Sequence, residues 1–248
     1  MKIKKILVSQ PKPATEKSPY FDLAKKNNLQ IDFRPFIHVE GIPAREFRNQ
    51  KINILEHTAI ILTSRTAIDH FFRICKELRL TVPDTLKYYC ISEATAFYIQ
   101  KYIVYRKRKI FTANGKFDNL VDILKKHSNE KFLIPLSDIH KQEIPEKLNA
   151  AKLTYTKAIL YKTISSDLSD LKDIDYDVLV FFSPSGIASL KQNFPDFKQE
   201  NKYIGAFGTT TAKAVKDAGL RLDIPAPNSK APSMTMALEQ FIKDKNKK

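Results

Sequence analysis

Glycine is scarce in this chain, with only six among 248 residues. None of them forms G-x-G-x-x-G or G-x-x-x-x-G-K-[ST], the turns that let a backbone approach the phosphates of dinucleotides and nucleoside triphosphates. The five histidines show no H-E-x-x-H or other metal-ligand spacing. We therefore expect no nucleotide, no metal and no other cofactor.

Cysteine is scarcer still. Cys75 falls in a helical pattern and Cys90 at the end of a strand-like run, without C-x-x-C spacing, which excludes a disulfide framework. Neither has the surroundings of a nucleophile. No serine stands in G-x-S-x-G either, since Ser185 lacks the leading glycine. Covalent catalysis therefore has no candidate residue.

Long apolar runs are also missing. No window approaches the roughly 18 apolar residues of a membrane helix. Lys2-Ile3-Lys4-Lys5 leads directly into the strand-like Ile6-Leu7-Val8, which does not resemble an export signal. With so few cysteines, we expect a cytoplasmic protein without a membrane partner.

Positive charge is abundant. The 42 Lys and Arg residues against 27 Asp and Glu give a formal net charge of +15, and such a field concentrates anionic partners. The densest basic runs are Tyr105–Lys109 and Lys243–Lys248, and we interpret the second as a solvated tail. The first forms only a short patch and no nucleic-acid module is recognisable, so we expect no nucleic-acid partner.

A repeated unit organises the chain. It consists of a short β-rich run, a hydroxyl-rich turn and a helix with apolar residues three and four apart. Strands that alternate with helices in this way are typical of parallel sheets covered by helices, an α/β fold. The clearest units are 58–64 into 67–78, 87–92 into 94–102, 178–183 into 186–193, and 202–208 into 211–218.

The spacing of the turns indicates a duplicated lobe. Ser64 and Ser92 are 28 residues apart, Ser183 and Gly208 are 25 apart, and the second pair follows the first by 119 and 116 residues. We predict two similar lobes, each a parallel sheet flanked by helices: a split outer lobe of residues 1–35 and 163–248, and a continuous middle lobe of 38–159. Two extended segments, Phe33–Val39 and Ala158–Ile164, would cross between them.

The four turns are the candidate binding site. In an open parallel sheet, ligands bind at the carboxyl ends of the strands, where the following helices present free N–H groups. Serine and threonine there are also ordinary helix caps, so each turn taken alone fits both interpretations. Two lobes with such turns could bind a ligand bearing several carboxylates. The candidate binding residues are Ser64, Arg65, Thr66, Ser92, Ser183, Ser185, Gly186, Gly208 and Thr210.

The turns and their flanks carry a family likeness. It is specific from Tyr176 onward and looser before. The residues that carry it are Leu62-Thr63-Ser64, Ser92-Glu93-Ala94-Thr95-Ala96, Leu160-Tyr161-Lys162-Thr163, Phe181-Phe182-Ser183-Pro184-Ser185-Gly186, Ile204–Leu220, Ile224-Pro225 and Pro232-Ser233. In these the chain resembles the uroporphyrinogen-III synthase family. Two positions depart from the family pattern, because Ser9-Gln10-Pro11 stands where Thr-Arg-Pro is usual and Ser92 replaces a common glycine.

The resemblance implies a lyase of tetrapyrrole and heme biosynthesis. Such an enzyme closes hydroxymethylbilane, a linear tetrapyrrole with eight carboxylates, into uroporphyrinogen III, inverting ring D and releasing water. It implies Tyr161 as the donor to the departing hydroxyl, with Thr95 and Thr211 orienting that oxygen or a carboxylate. We expect a monomer, and hand-over of the substrate from the preceding pathway enzyme stays open.

Alternatives remain at this stage. Tyr161 could be a packing aromatic rather than a proton donor. The chain as a whole could be a non-enzymatic two-lobed binding module for an anionic ligand, or a catalytically degenerate member of the family.

Overall fold

The computed structural model describes residues 2–171 and 174–246, with the side chain of Asn246 left out. The backbone divides into two compact units. The split unit comprises Met1–His38 and Ile164–Lys248, and the continuous unit comprises Val39–Thr163. Lys247 and Lys248, the end of the expected solvated tail, lie outside the described residues.

Strands and helices alternate along most of the chain. The strands are β1 (Lys5–Val8), β2 (Gln30–Phe33), β3 (Ile37–Gly41), β4 (Ala59–Leu62), β5 (Lys87–Cys90), β6 (Ile110–Thr112), β7 (Phe132–Ser137), β8 (Tyr155–Ser165), β9 (Val178–Phe181), β10 (Tyr203–Phe207) and β11 (Ile224–Ala226). The α-helices are α1 (Pro19–Asn27), α2 (Ala44–Arg48), α3 (Arg65–Glu77), α4 (Glu93–Tyr98), α5 (Phe117–Lys125), α6 (Glu143–Ala150), α7 (Pro184–Asn193), α8 (Thr209–Asp217) and α9 (Met234–Asn246). No helix in the described part of the chain is both long and apolar enough to cross a membrane.

The split unit is built on a five-stranded parallel sheet in the order β11-β10-β9-β1-β2. Its central strand β9 is buried along its whole length. Because side chains alternate across a strand, Val178 and Val180 join the core beneath α1 and α9, whereas Leu179 and Phe181 join the core beneath α7 and α8. Burial on both faces explains why this strand is apolar throughout.

The continuous unit is built on a six-stranded sheet in the order β3-β8-β7-β4-β5-β6, parallel from β8 to β6. Strand β4 is fully buried. Ile60 and Leu62 pack on the α3 side, and Ala59 and Ile61 pack on the α5 side. The prediction of an α/β fold with parallel sheets flanked by helices is therefore confirmed.

Two predicted elements differ from the structure. The expected single strand Phe33–Val39 is wrong, because β2 ends at Phe33 and β3 begins at Ile37. Pro35 lies in the interruption, and proline has no N–H to donate to a ladder. The helix expected over 94–102 ends at Tyr98 and continues as a 3₁₀ turn, Ile99–Lys101. The other expected crossing segment, Ala158–Ile164, lies within β8.

Strand β7 was not predicted, and it holds a proline inside the sheet. Proline normally stands at sheet edges because it cannot donate to a ladder. Here β4 pairs with β7 only at Phe132 and Leu133, so Pro135 lies beyond that pairing. Past the proline, Leu136 pairs with Ile159 but Ser137 pairs with Tyr161, a one-residue bulge in β8. The bulge sets which residues meet at the carboxyl end of these strands.

The hydroxyl of Tyr89 yields a stability prediction. The Tyr89 side chain is 0% exposed, and its hydroxyl has no hydrogen-bond partner within the described residues. An unsatisfied buried hydroxyl costs free energy. We expect Tyr89→Phe to raise the free energy of unfolding of the continuous unit by about 1–2 kcal/mol, measured by urea denaturation.

Tyr155→Phe is the matched control for this prediction. The Tyr155 hydroxyl donates to Asn149 Oδ1 at 3.0 Å, so its removal should lower stability by up to about 1 kcal/mol. A Tyr89→Phe protein less stable than the parent would show that the buried hydroxyl is satisfied.

Candidate functional site

Three of the four predicted turns are serine-capped helix starts. Each follows a strand end, and each serine Oγ accepts a hydrogen bond from the backbone N–H three residues on. The distances are 3.0 Å for Ser64 and Ala67 N, 3.3 Å for Ser92 and Thr95 N, and 3.2 Å for Ser183 and Gly186 N. Capping is thus present at these turns. A capping serine uses an oxygen lone pair and keeps its O–H proton for a ligand oxygen.

The fourth turn uses a glycine in place of serine. Gly208 has φ +89°, a conformation that favours glycine, and its N–H donates to Ala226 O at 2.6 Å. Thr209 and Thr210 at the start of α8 are exposed. Thr211 is 1% exposed. The turn therefore presents two hydroxyls to solvent and buries the third.

In the continuous unit, a cleft of about 610 Å³ lies at the carboxyl ends of β4, β7 and β8. We call it the Tyr161 cleft. Its lining includes two predicted residues, Ser64 and Tyr161, beside polar residues from β7, α6 and two loops. The polar and charged residues that line it are Thr63, Ser64, Lys116, Asp118, Ser137, His140, Lys141, Glu143, Lys147 and Tyr161.

Tyr161 is held by contacts on α3 and on the neighbouring turn. Its half-buried ring stacks on His70, with centroids 5.0 Å apart and planes 21° apart. Burial raises the pKa of Tyr161, and a hydrogen bond with Ser64 partly offsets that rise. The phenol is therefore protonated at neutral pH and is available as a donor.

His70 is itself fixed by an arginine. Arg73 Nε donates to His70 Nδ1 at 3.1 Å, and Arg73 also donates to Ile42 O and Leu160 O at 2.8 and 3.1 Å. Burial and then the Arg73 charge lower the pKa of His70, so the ring stacked on Tyr161 is neutral at pH 7. A Cβ atom on Gly41 would lie 2.6 Å from the guanidinium, so a larger residue at position 41 would displace Arg73 from these contacts.

The loop after β7 is anchored by Asp138. Its Oδ1 accepts from Ser137 Oγ at 2.8 Å, from Ile139 N at 2.8 Å and from Thr163 N at 3.0 Å. Burial acts to raise the pKa of Asp138, but these hydrogen bonds outweigh it and hold the pKa below its usual value. His140 Nδ1 donates to Ser137 O at 2.9 Å. The loop is thus tied both to itself and to β8.

The cations of the Tyr161 cleft differ in how they are paired. Lys147 Nζ lies 2.8 Å from Asp118 Oδ1, and Lys141 Nζ lies 3.9 Å from Glu143 Oε1. Lys116 forms no ion pair with any described residue. Its charge is therefore the least compensated in the cleft.

The other predicted residues of the continuous unit lie outside this cleft. Ser92 lines a second cleft of about 750 Å³, next to Thr112 and Lys126. Arg65 is exposed, and its guanidinium lies 5.2 Å from the centre of the Tyr98 ring. Thr66 is half-buried. Thr95 is only 6% exposed, and its hydroxyl lies 3.1 Å from Ser92 Oγ.

In the split unit, the turns after β1 and β9 lie close together. A Cβ atom on Gly186 would be 3.8 Å from Ser9 Oγ and 3.7 Å from Ser183 Oγ. Ser185 is half-buried beside them. Arg34, at the end of β2, does not replace the arginine missing from Ser9-Gln10-Pro11, because it donates to Asp170 at 2.8 Å. These turns therefore offer hydroxyls and backbone donors.

Sequence reasoning missed seven polar or charged residues of the Tyr161 cleft. They are Lys116, Asp118, Ser137, His140, Lys141, Glu143 and Lys147. The only local signal for them was the apolar run Phe132–Leu136, which would have predicted a strand whose carboxyl end lies beside the other turns. No group of three or more His, Cys, Asp or Glu side chains in the described ranges is arranged to hold a metal ion.

Comparison with known proteins agrees with this architecture. A family model described as "Uroporphyrinogen-III synthase HemD" matches residues 19–236. A Methanocaldococcus jannaschii protein called "Putative uroporphyrinogen-III synthase" is 27% identical over 233 residues, which cover 89% of this chain and 92% of that protein.

Solved structures match in fold. Helicobacter pylori uroporphyrinogen-III synthetase has a TM-score of 0.63 at 17% identity, covering 97% of this chain and 99% of that one. A mutant Thermus thermophilus uroporphyrinogen III synthase has a TM-score of 0.55 at 14% identity, covering 99% and 100%. With the family model matching most of its length, the chain belongs to the uroporphyrinogen-III synthase family.

Proposed function

We propose that this protein converts hydroxymethylbilane into uroporphyrinogen III, as an enzyme of tetrapyrrole biosynthesis that supplies heme. The observation that carries the proposal is the Tyr161 phenol, which is neutral, half-buried and placed in a cleft with three lysines. A donor for a leaving oxygen and cations for carboxylates are what this substrate requires. Family membership supports the same reaction.

The chemistry needs one proton donated and one removed. The C–O bond of the terminal hydroxymethyl group breaks, the electron pair stays with oxygen, and a proton from Tyr161 converts the leaving hydroxide into water. The resulting azafulvenium cation is attacked by the substituted carbon of ring D, and the spiro intermediate reopens and recloses with that ring inverted. The Tyr161 phenolate takes up the pyrrole C–H proton that is lost at the last step, which restores the proton count.

Substrate binding in this proposal relies on two kinds of donor. In the continuous unit, Lys116, Lys141 and Lys147 pair with carboxylates, and Ser64, Arg65, Thr66 and Ser92 provide further donors. In the split unit, carboxylates meet hydroxyls and backbone N–H groups at helix starts, at Ser183, Ser185, Gly186, Gly208 and Thr210. The net charge of +15 draws the polyanion toward the protein.

Thr95 and Thr211 enter the proposal as positioning residues. Both are almost fully buried, at 6% and 1% exposure, so neither hydroxyl reaches a ligand in this conformation. Thr95 instead contacts the capping Ser92, and Thr211 stands in the first turn of α8 behind Thr209 and Thr210. We propose that they position the backbone donors of the two turns.

We infer a cytoplasmic enzyme that acts as a monomer and needs neither metal nor organic cofactor. Supplying hydroxymethylbilane to the purified protein and separating the type I and type III uroporphyrinogens tests the function directly. Formation of the type I isomer alone, as in the uncatalysed reaction, would favour a binding module instead.

Removal of the phenolic oxygen tests the role of Tyr161 as the proton donor. Tyr161→Phe keeps the stack on His70 and removes the donor, so the rate of type III formation should fall about 100-fold, the usual scale of a lost general acid. Tyr155→Phe, on the same strand but outside the cleft, is the matched control and should retain the rate. If folded Tyr161→Phe protein turns over like the parent, the proton comes from another group.

Removal of the charge of Lys116, which has no ion pair with any described residue, tests whether this lysine binds the substrate. Lys116→Gln should raise KM about threefold at low salt, with kcat little changed, because an exposed cation contributes modest binding energy. The difference should shrink in high salt. Lys131→Gln, which removes the same charge just before β7 begins, serves as the control and should leave KM unchanged. Equal KM values for both variants would exclude Lys116 from substrate binding.

A further inference from the structure

The continuous unit has another cleft, of about 620 Å³, on the other side of the α3 start. We call it the Phe97 cleft. Its side chains include Arg65, Glu93, Phe97, Tyr105 and Lys107. Two largely buried residues, Ala96 and Ile110, also line it. The cleft thus combines an apolar surface, two aromatic rings, two cations and one carboxylate.

The aromatic rings of this cleft are unusually exposed. Phe97 is 71% exposed and Tyr105 is 42% exposed. A single exposed apolar side chain is ordinary, but two rings beside one apolar surface form a patch of the kind that marks binding sites. Neither ring stacks on another aromatic ring of the described residues. Their faces are available to a planar ligand.

The two cations are uncompensated. Arg65 is the first residue of the 13-residue helix α3, where the positive end of the helix dipole disfavours a cation. Within the described residues, neither Arg65 nor Lys107 forms an ion pair. By contrast, Arg106, next to Lys107, lies 4.0 Å from Asp84. A positive charge at an unfavourable position without an acidic partner is suited to an anionic ligand.

Glu93 completes the chemistry of the cleft. Its carboxylate is exposed and makes no ion pair with any described residue. A carboxylate would repel a second acid, but it accepts hydrogen bonds from an N–H donor. The ligand therefore needs a flat apolar ring, one N–H group and negatively charged substituents.

We propose that the Phe97 cleft binds one carboxylated pyrrole ring of the oligopyrrole ligand. The ring packs on Phe97 and Tyr105, its acetate and propionate pair with Arg65 and Lys107, and its N–H donates to Glu93. The identity of the ligand rests on the proposed function. Ser64 lines the Tyr161 cleft, and the next residue, Arg65, lines the Phe97 cleft. The two clefts are therefore neighbours, and a ligand of several rings can reach both.

A single-stranded nucleic acid could also use aromatic rings and cations. The cleft favours the pyrrole because only two cations, Arg65 and Lys107, line it, and the Glu93 carboxylate beside them would repel a phosphate. A phosphate backbone instead needs a continuous positive groove. Competition by an oligonucleotide separates the two ligands.

The experiment measures binding of a monopyrrole that carries one acetate and one propionate, by titration calorimetry on the full chain. Phe97→Ala should weaken binding about fivefold, the effect of losing one stacked ring. Lys107→Gln should weaken it about threefold. Arg108→Gln is the matched control, because it removes an adjacent positive charge outside this cleft, and it should bind like the parent.

Two results would overturn the inference. One is that Phe97→Ala and Lys107→Gln bind the monopyrrole as tightly as the parent. The other is displacement of the monopyrrole by a single-stranded oligonucleotide at a lower concentration than by free monopyrrole.

Activity separates this inference from the proposed function. In the isomer assay, Phe97→Ala should raise KM for hydroxymethylbilane while kcat is kept. Type III product from the parent together with an unchanged KM in Phe97→Ala would reject the cleft and leave the function standing. Monopyrrole binding that depends on Phe97, without any type III product, would reject the function and leave the cleft.

Discussion

Burial of the central strands on both faces is the constraint on which the rest of the structure depends. Strands β4 and β9 have every residue buried, so neither has room for a polar side chain. Polar chemistry is thereby confined to the carboxyl ends of the strands, where the next helix begins. Its first N–H groups need acceptors, and Ser64, Ser92 and Ser183 supply them. The same hydroxyls that stabilise these helices therefore stand at the strand ends that line the clefts of the continuous unit and the turn beside Gly186.

Tyr161 depends on a second, longer-range constraint. A one-residue bulge in β8 brings Tyr161 opposite Ser137, where a regular ladder would have placed Leu160. Bulges are a common means of redirecting a side chain beside a binding site. The phenol is then held by His70. His70 is hydrogen-bonded by Arg73, whose guanidinium lies so close to Gly41 that a side chain at that position would displace it. The position of one hydroxyl thus follows from contacts among β3, α3, β7 and β8.

Sequence reasoning succeeded where the signal was local. The turns at Ser64, Ser92, Ser183 and Gly208 were predicted because an apolar run, a small polar residue and an amphipathic helix follow one another directly in the chain. Helices α3, α7 and α8 begin two residues before the predicted starts and α4 begins one residue before, since capping residues and the first turn carry no apolar periodicity. Strand β7 was missed: Pro135 interrupts its pattern, and its pairing with β4 covers only two residues. The bulge arises from the pairing of β7 with β8, so neither segment alone predicts it. The lysines of the Tyr161 cleft were missed for the same reason, because α6 and the loop after β7 become neighbours of Ser64 only through the sheet.

The placement of charge distinguishes the two units more sharply than the total of +15 does. In the split unit, Arg34 is bound to Asp170, and the turns after β1, β9 and β10 present hydroxyls and backbone N–H groups. In the continuous unit, Lys116 faces the Tyr161 cleft, and Arg65 and Lys107 face the Phe97 cleft, each without an acidic partner among the residues described. Hydroxyls and N–H groups form directional hydrogen bonds with a carboxylate. Exposed cations instead attract it over a longer range, which dissolved salt reduces. The continuous unit therefore offers an anion long-range attraction, whereas the split unit offers donors whose direction is fixed by the helix starts.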